Sequence, residues 1–213
     1  MRMRAFTCIL LLLCAVVPGQ SRSRHRRHSA GGMAFSYYLL TLSWSPEYCH
    51  GHSTDEQCTA GKHYGFVVHG LWPEYQSGGG PENCGQQPGL ANPSSMLDIM
   101  PSLHLIQHEW TTHGTCSGLD ANSYFGSIRK AFTATRIPAQ FTGTSQQLTL
   151  SPSQIEGAFQ AANPGIPKGG MMVTCPSNYL QGVEICLDKG LNHIACPAPR
   201  DCKAQSINVP PIQ

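Results

Sequence analysis

Two stretches of the chain concentrate side chains that can move protons: FVVHGLWP (66–73), which holds His69, and HEWTTHGTC (108–116), which holds His108, Glu109 and His113. Imidazole titrates close to ordinary working pH, so a pair of histidines suits a reaction in which one removes a proton and the other supplies one. An isolated histidine is more often a hydrogen-bonded core residue, but three titratable groups on one face of an element point to a reactive site. The residues alone describe an acid–base enzyme, either a hydrolase or a transferase.

Residues 103–114 read as a helix. At about 100° per residue, Glu109 and His113 share a face, while His108 and Thr112 form a neighbouring pair on the same side. Leu103, Ile106 and Trp110 fall at spacings of 3 and 4 and supply an apolar stripe to pack the helix down. HEWTTH looks like the zinc signature H-E-x-x-H, in which two histidines four apart face one way. Here His108 and His113 are five apart, about 140° round the helix. No metal and no cofactor are therefore assigned, and a zinc hydrolase drawing on the ten histidines stands as a competing reading.

Other elements must hold these motifs in place. Phe35–Trp44 (FSYYLLTLSW) is aromatic and β-rich without a polar break, and predicts a buried strand. His63–His69 predicts a second strand, ended by Gly70 and Pro73, which puts His69 at a strand end. After the glycine-rich loop 77–81, the helical composition of 94–113 is divided by Pro101 into two helices, the second bearing His108, Glu109 and His113. Asn122–Thr135 predicts a further helix, and Ser151-Pro-Ser-Gln154 opens another with a capping box, stopped by Asn163-Pro-Gly165. Strand-like pieces follow at Met171–Thr174, Val183–Leu187 and Leu191–Ala195. Strands at both ends with helices between them imply an α+β domain rather than a regular βαβ array.

The chain of 213 residues, 40% apolar, fits one domain with a real core. Its first 19 residues have the basic, apolar and small-residue order of a secretory signal. The apolar run Ala5–Val17 is too short to span a bilayer, which needs about 20 residues. Residues 20–33, with Arg22, Arg24, Arg26 and Arg27, read as a basic disordered segment, leaving 34–213 as the folded domain. Without the signal the chain has 12 basic and 12 acidic residues; without the arginine run as well, 8 and 12. A broad cationic surface for gripping a nucleic-acid backbone is thereby excluded, so any such binding must be local.

Eight cysteines remain beyond the signal, and an even count behind a signal implies disulfides, with 105 pairings open. No CxxC pair favours zinc, and no Asn-x-Ser/Thr acceptor is present.

FVVHGLWP and HEWTTHGTC, in that order and with His69 and His113 44 positions apart, resemble the ribonuclease T(2) family, which includes the plant self-incompatibility ribonucleases. The resemblance extends to FSYYLLTLSWSPEYC (35–49) and to the C-terminal cysteines. It implies a central, mainly antiparallel sheet with flanking helices, and metal-independent cleavage of single-stranded RNA. His69 would be the general acid and His113 the general base, with Glu109 and His108 around the scissile phosphate. Trp72 would stack a base, and Glu74 could touch a base amino group, although a solvated Glu74 is an equal alternative. The implied products are 2′,3′-cyclic phosphates, slowly hydrolysed to 3′-phosphates. DNA, lacking the 2′-hydroxyl, would not be cleaved. The same resemblance implies the pairs Cys49–Cys58, Cys84–Cys116, Cys175–Cys202 and Cys186–Cys196; the signal implies a secreted or periplasmic protein free of the membrane once it is removed, and a monomer is expected. One position departs from the family pattern: Thr112 stands where a lysine or arginine is usual. The alternative to an active enzyme is therefore an RNA-binding or signalling member of the fold with weak turnover.

Overall fold

The computed structural model describes residues 34–212 apart from Ala60 and Thr144. The expected signal and basic segment lie outside the described residues.

The aromatic run forms strand β1 (Tyr37–Trp44), buried along almost its whole length on both faces. A strand of that kind must lie inside a sheet. It pairs antiparallel with β2 (Phe66–Glu74) on one side and with β5 (Gly182–Leu187) on the other, and β4 (Met171–Thr174) completes the order β2-β1-β5-β4. One face of this sheet carries Leu40, Leu42, Trp44, Val68 and Ile185 into the main core. Helices α2 (Leu103–Thr112), α3 (Ala121–Ala134) and α4 (Pro152–Ala162) fill that core from the other side with Ile106, Trp110, Phe125, Ile128 and Phe159. The opposite face holds a smaller cluster of Tyr37, Leu39, Met172 and Cys186. A short helix α1 (Ser45–Gly51) follows β1, and β3 (Leu148–Leu150) pairs with β6 (Ile207–Val209) in a two-stranded sheet. The architecture is α+β, as expected.

Local signals set the helix starts. Ser151 accepts from the backbone N–H of Gln154 at 3.2 Å, and the Gln154 side chain accepts from that of Ser151 at 2.8 Å, closing the expected capping box. Asp120 caps α3 and Ser102 caps α2 with single bonds, their side chains accepting from the backbone N–H of Ser123 and Leu105. Four disulfides form, Cys49–Cys58, Cys84–Cys116, Cys175–Cys202 and Cys186–Cys196, the pairs the resemblance implied. Among the described residues no helix is long and apolar enough to cross a membrane.

Several elements differ from expectation. β2 does not stop at Gly70 but runs through Pro73 to Glu74. It is an edge strand, where the missing proline N–H costs no ladder bond. Between Pro93 and Pro101 the chain forms only a 3-10 turn, Pro93–Met96, because the closely spaced prolines leave no room for a helix. Leu103 is 44% exposed rather than part of the buried stripe, since it begins α2 beyond the edge of the core. Residues 191–195 give one bridge, Leu187 to His193, because Leu191 turns at a φ of 68° beside the Asp188 turn.

Candidate active site

His69 is not at a strand end. Along β1, Thr41 faces Gly70 but Leu42 faces Val68, so His69 is the extra, unpaired residue of a β-bulge. Bulges re-aim side chains and reverse the alternation beyond them. Val68 and Leu71 therefore both enter the main core, while Trp72 packs on the opposite face against the Tyr37 and Leu39 cluster. The ring of His69 is anchored through Nδ1, 3.2 Å from the Ser43 hydroxyl of β1.

The residue after the bulge must be glycine. A Cβ on Gly70 would stand 1.9 Å from Oε2 of Glu109 and 2.5 Å from Nε1 of Trp72. Only a residue without a side chain lets α2 approach this closely.

Helix α2 buries Ile106 and Trp110, and Trp110 Nε1 donates to the carbonyl of Gln87 at 2.8 Å. Full burial of two such side chains contributes roughly 2 kcal/mol each to holding the helix down. Glu109 lies on the same side, with none of its side chain exposed. Its Oε2 accepts from Trp72 Nε1 at 2.8 Å, and its Oε1 lies 3.4 Å from His69 Nε2. His113 is the C-cap of α2, its backbone N–H bonded to the Glu109 carbonyl at 3.1 Å. The Trp72 ring stacks on His113 (5.1 Å, 29°) and meets His69 edge-on (5.4 Å, 83°). His108 meets His113 edge-on at 6.4 Å, and the Thr112 hydroxyl lies 3.5 Å from His108 Nδ1. Cys84–Cys116 and the Asn83 N–H bond to the Thr112 carbonyl (2.8 Å) fasten the end of α2 to the loop after β2.

Burial sets the charges. It pushes the Glu109 carboxyl up to about 8, against the opposing pull of the Trp72 N–H. It pushes His69 down to about 4, helped by the charges of His108 and His113. His69 keeps 39% of its side chain exposed, and the burial of the remainder is what disfavours charging it. His113 is likewise pushed down to about 4, by burial and then by His108. Near neutral pH the resting site therefore holds a protonated carboxyl and two neutral imidazoles at its centre.

Three cavities meet here. One of 540 Å³, walled by Gln57, Ser102, His104 and His108, and one of 510 Å³, walled by Trp72, Ser43 and Glu184, share His69. The third, 240 Å³, lies between Trp72, His113, Glu74 and Arg200. Glu74 is 5% exposed, so it is not a solvated surface carboxylate. The structure thus gathers His69, Trp72, Glu74, His108, Glu109, Thr112 and His113. Gly70, Ser43 and Arg200 join them without having been singled out from the sequence. The glycine of HGLWP was a visible signal; Arg200, 126 positions from Glu74, had none. Among the described residues, no three His, Cys, Asp or Glu side chains are grouped to hold a metal ion.

The profile of the Ribonuclease T2 family matches residues 35–196. A ribonuclease of Aeromonas hydrophila is 32% identical over 195 residues, covering 88% of this chain and 87% of that protein. Ribonuclease DdI of Dictyostelium discoideum is 28% identical over 92% of both. Among solved structures, the RNase-related protein from Calystegia sepium superposes with a TM-score of 0.71 at 23% identity, over 85% of this chain and 100% of that one, and shares the fold. RNase NT in complex with 5′-AMP superposes with a TM-score of 0.63 at 26% identity, over 83% and 98%. With a matching profile across most of the folded domain, full-length relatives and the same sheet-and-helix architecture, the chain belongs to the ribonuclease T2 family.

Proposed function

We propose that this chain cleaves single-stranded RNA by attack of a ribose 2′-hydroxyl on its adjacent phosphate. The observation that supports the reading best is the Glu109 carboxyl, fully buried between Trp72 and His69 with His113 and His108 alongside. A neutral, donating carboxyl can sit against a phosphate oxygen that a carboxylate would repel.

In this reading His113 takes the proton of the 2′-hydroxyl, and the new 2′ O–P bond forms as the P–O5′ bond breaks. His69 gives its proton to the leaving 5′ oxygen, yielding a 2′,3′-cyclic phosphate and a free 5′-hydroxyl. Hydrolysis of the cyclic product runs the proton transfers in reverse and leaves a 3′-phosphate. His108 and Glu109 face the charge that develops on the phosphorane, and Trp72 offers an aromatic wall for a base. DNA lacks the attacking hydroxyl and is not cleaved. The ribonuclease name of the Aeromonas hydrophila relative and the 5′-AMP held by RNase NT support an RNA substrate.

Thr112 favours a second reading, in which the fold binds RNA with weak turnover because a cation is missing beside His113. The signal-like residues 1–19, the four disulfides and the absence of a long apolar helix among the described residues support a secreted or periplasmic protein away from the membrane. We take it to act as a monomer. Incubation with dinucleoside monophosphates at several pH values, with chromatographic identification of the cyclic phosphate, tests the reaction. His113→Ala should lower the rate by about 10³-fold; equal rates in wild type and variant would sink it.

A further inference from the structure

His69 sits on the bulge of β2 and has no ladder partner, so strand pairing does not fix the direction of its ring. Ser43 is the opposite case. It lies on β1 between two neighbours, opposite Val67 of β2 and Gly182 of β5, and its backbone is held from both sides. Its hydroxyl stands 3.2 Å from His69 Nδ1. A hydroxyl both donates and accepts, so this contact by itself permits either neutral tautomer of the imidazole.

The other ring nitrogen decides between them. Nε2 faces Glu109 Oε1 at 3.4 Å, slightly longer than an ordinary hydrogen bond, and Oε1 has no hydrogen-bond partner. The second carboxyl oxygen, Oε2, accepts from Trp72. Burial pushes the Glu109 carboxyl up to about 8, so at neutral pH it carries a proton, which belongs on the oxygen that Trp72 leaves free. A buried donor without an acceptor is costly. Nε2 can be that acceptor only when it holds no proton of its own, and the ring proton then lies on Nδ1, against the Ser43 hydroxyl.

We propose that Ser43 is a positioning residue for His69: by accepting from Nδ1–H it holds one tautomer of the imidazole and reserves Nε2 for the proton that the reaction moves.

The consequence for catalysis rests on the ribonuclease reading above. Charged His69 carries a proton on each ring nitrogen. When Nε2 gives its proton to the leaving 5′ oxygen, the neutral ring that remains has its proton on Nδ1, the tautomer that Ser43 already holds. In the hydrolysis of the cyclic product, Nε2 takes a proton from the attacking water while Nδ1–H stays on Ser43. Neither half of the cycle then needs a ring rotation or a tautomer exchange. A serine also suits this place better than a carboxylate. Burial, His108 and His113 keep His69 a strong acid once it is charged. A neutral hydroxyl orients the ring and leaves that acidity in place, whereas an anion beside Nδ1 would favour the charged ring and weaken it as a proton donor.

The test combines nitrogen NMR of the full chain labelled in its histidine rings with steady-state cleavage of a dinucleoside monophosphate. The His69 signals are assigned by their loss in His69→Gln. At pH 7 wild-type His69 should be the Nδ1–H tautomer. Ser43→Ala should shift it towards Nε2–H and lower kcat by about tenfold, the low end for loss of a group that orients a reactive imidazole. KM should stay within about twofold, because the hydroxyl reaches the ring and not the substrate. Ser43→Thr keeps the hydroxyl, and the cavities of 540 and 510 Å³ that both open at this residue leave room for its methyl group. It should restore the Nδ1–H tautomer and most of the rate. An Nε2–H tautomer in the wild type, an unchanged tautomer in Ser43→Ala, or a loss of kcat that Ser43→Thr does not recover would each overturn the assignment. Were Ser43→Ala unable to fold, the tautomer in the wild type and in Ser43→Thr would decide. Failure of the wild type to cleave RNA would count against the ribonuclease reading instead, and the NMR result would still settle the role of Ser43.

Discussion

Nε2 of His69 and Oε1 of Glu109 lie 3.4 Å apart, although they belong to a bulged edge strand and to a helix 40 positions further along the chain. Glu109 is fully buried, and the Trp72 N–H supports its other oxygen. Such a pair is best described as a carboxyl that keeps its proton beside an imidazole that stays neutral, until an anionic substrate arrives to favour charging the imidazole.

Replacing that carboxyl should separate chemistry from stability. Glu109→Gln retains an acceptor for Trp72 but cannot exchange a proton, and kcat/KM for RNA should fall about 10²-fold. The folded-state pKa of Glu109 is raised to about 8 from 4.5. Its stabilising contribution is therefore complete below pH 4.5 and is lost as pH rises through 8. The glutamine does not titrate, so the difference in Tm, variant minus wild type, should grow across that window. Thermal unfolding from pH 4 to 9 measures it, and a flat difference would mean that Glu109 is ionised in the folded protein.

The two central histidines titrate in the opposite sense. His69 and His113 are held down to about 4 from 6.5 when folded, so the stability they contribute is present above pH 6.5 and is lost as pH falls towards 4. A bound phosphate reverses the balance by favouring imidazolium. Nucleoside 3′-monophosphates should bind more tightly as pH falls from 7 to 5, with net proton uptake, seen as binding enthalpies that differ between buffers of different ionisation enthalpy. The profile of kcat/KM should be bell-shaped with its optimum on the acid side, because one imidazole must be neutral and the other charged. A rate that is level from pH 4 to 8 would contradict the assignment.

Thr112 is an opportunity to restore a cation. Its hydroxyl steadies His108 at 3.5 Å but brings no charge to the phosphate. Thr112→Lys should raise kcat/KM about tenfold and steepen its fall with added salt, since one more phosphate charge is neutralised. No gain would indicate that His108 already supplies that charge.

Gly70 tests how closely the strand and the helix must approach. Gly70→Ala drives a methyl group into Glu109 Oε2 and Trp72 Nε1. The variant should lose about 1–3 kcal/mol of stability, read by urea unfolding, and a larger share of its activity, because His69 and Glu109 are pushed apart. Wild-type activity in this variant would show that the strand can retreat without disturbing the site.

Much of this could be read from the residues. The aromatic and aliphatic run of β1, free of charged residues, marks a central strand because a charged side chain could not be buried there cheaply. Ser151 and Gln154 mark the start of α4 because their hydrogen bonds are local. The spacing of Glu109 and His113 puts them on one side of α2 for the same reason of short range. What could not be read is long-range or too short to show a period. The three-residue strands β3 and β6 have no alternation to detect, and the exposure of Leu103 depends on where the core ends rather than on helical phase.

The sequence by itself singled out the side chains proposed for the proton chemistry, the helix that carries His108 and Glu109 and ends at His113, and through family resemblance the disulfide pairs. Only the tertiary structure decided that His69 is the unpaired residue of a bulge, that burial raises the Glu109 carboxyl, and that Arg200 meets Glu74 beside His113. The physical reason is the range of the forces involved. Capping and helical phase are settled within a few residues, whereas strand register and burial arise only when distant segments pack together.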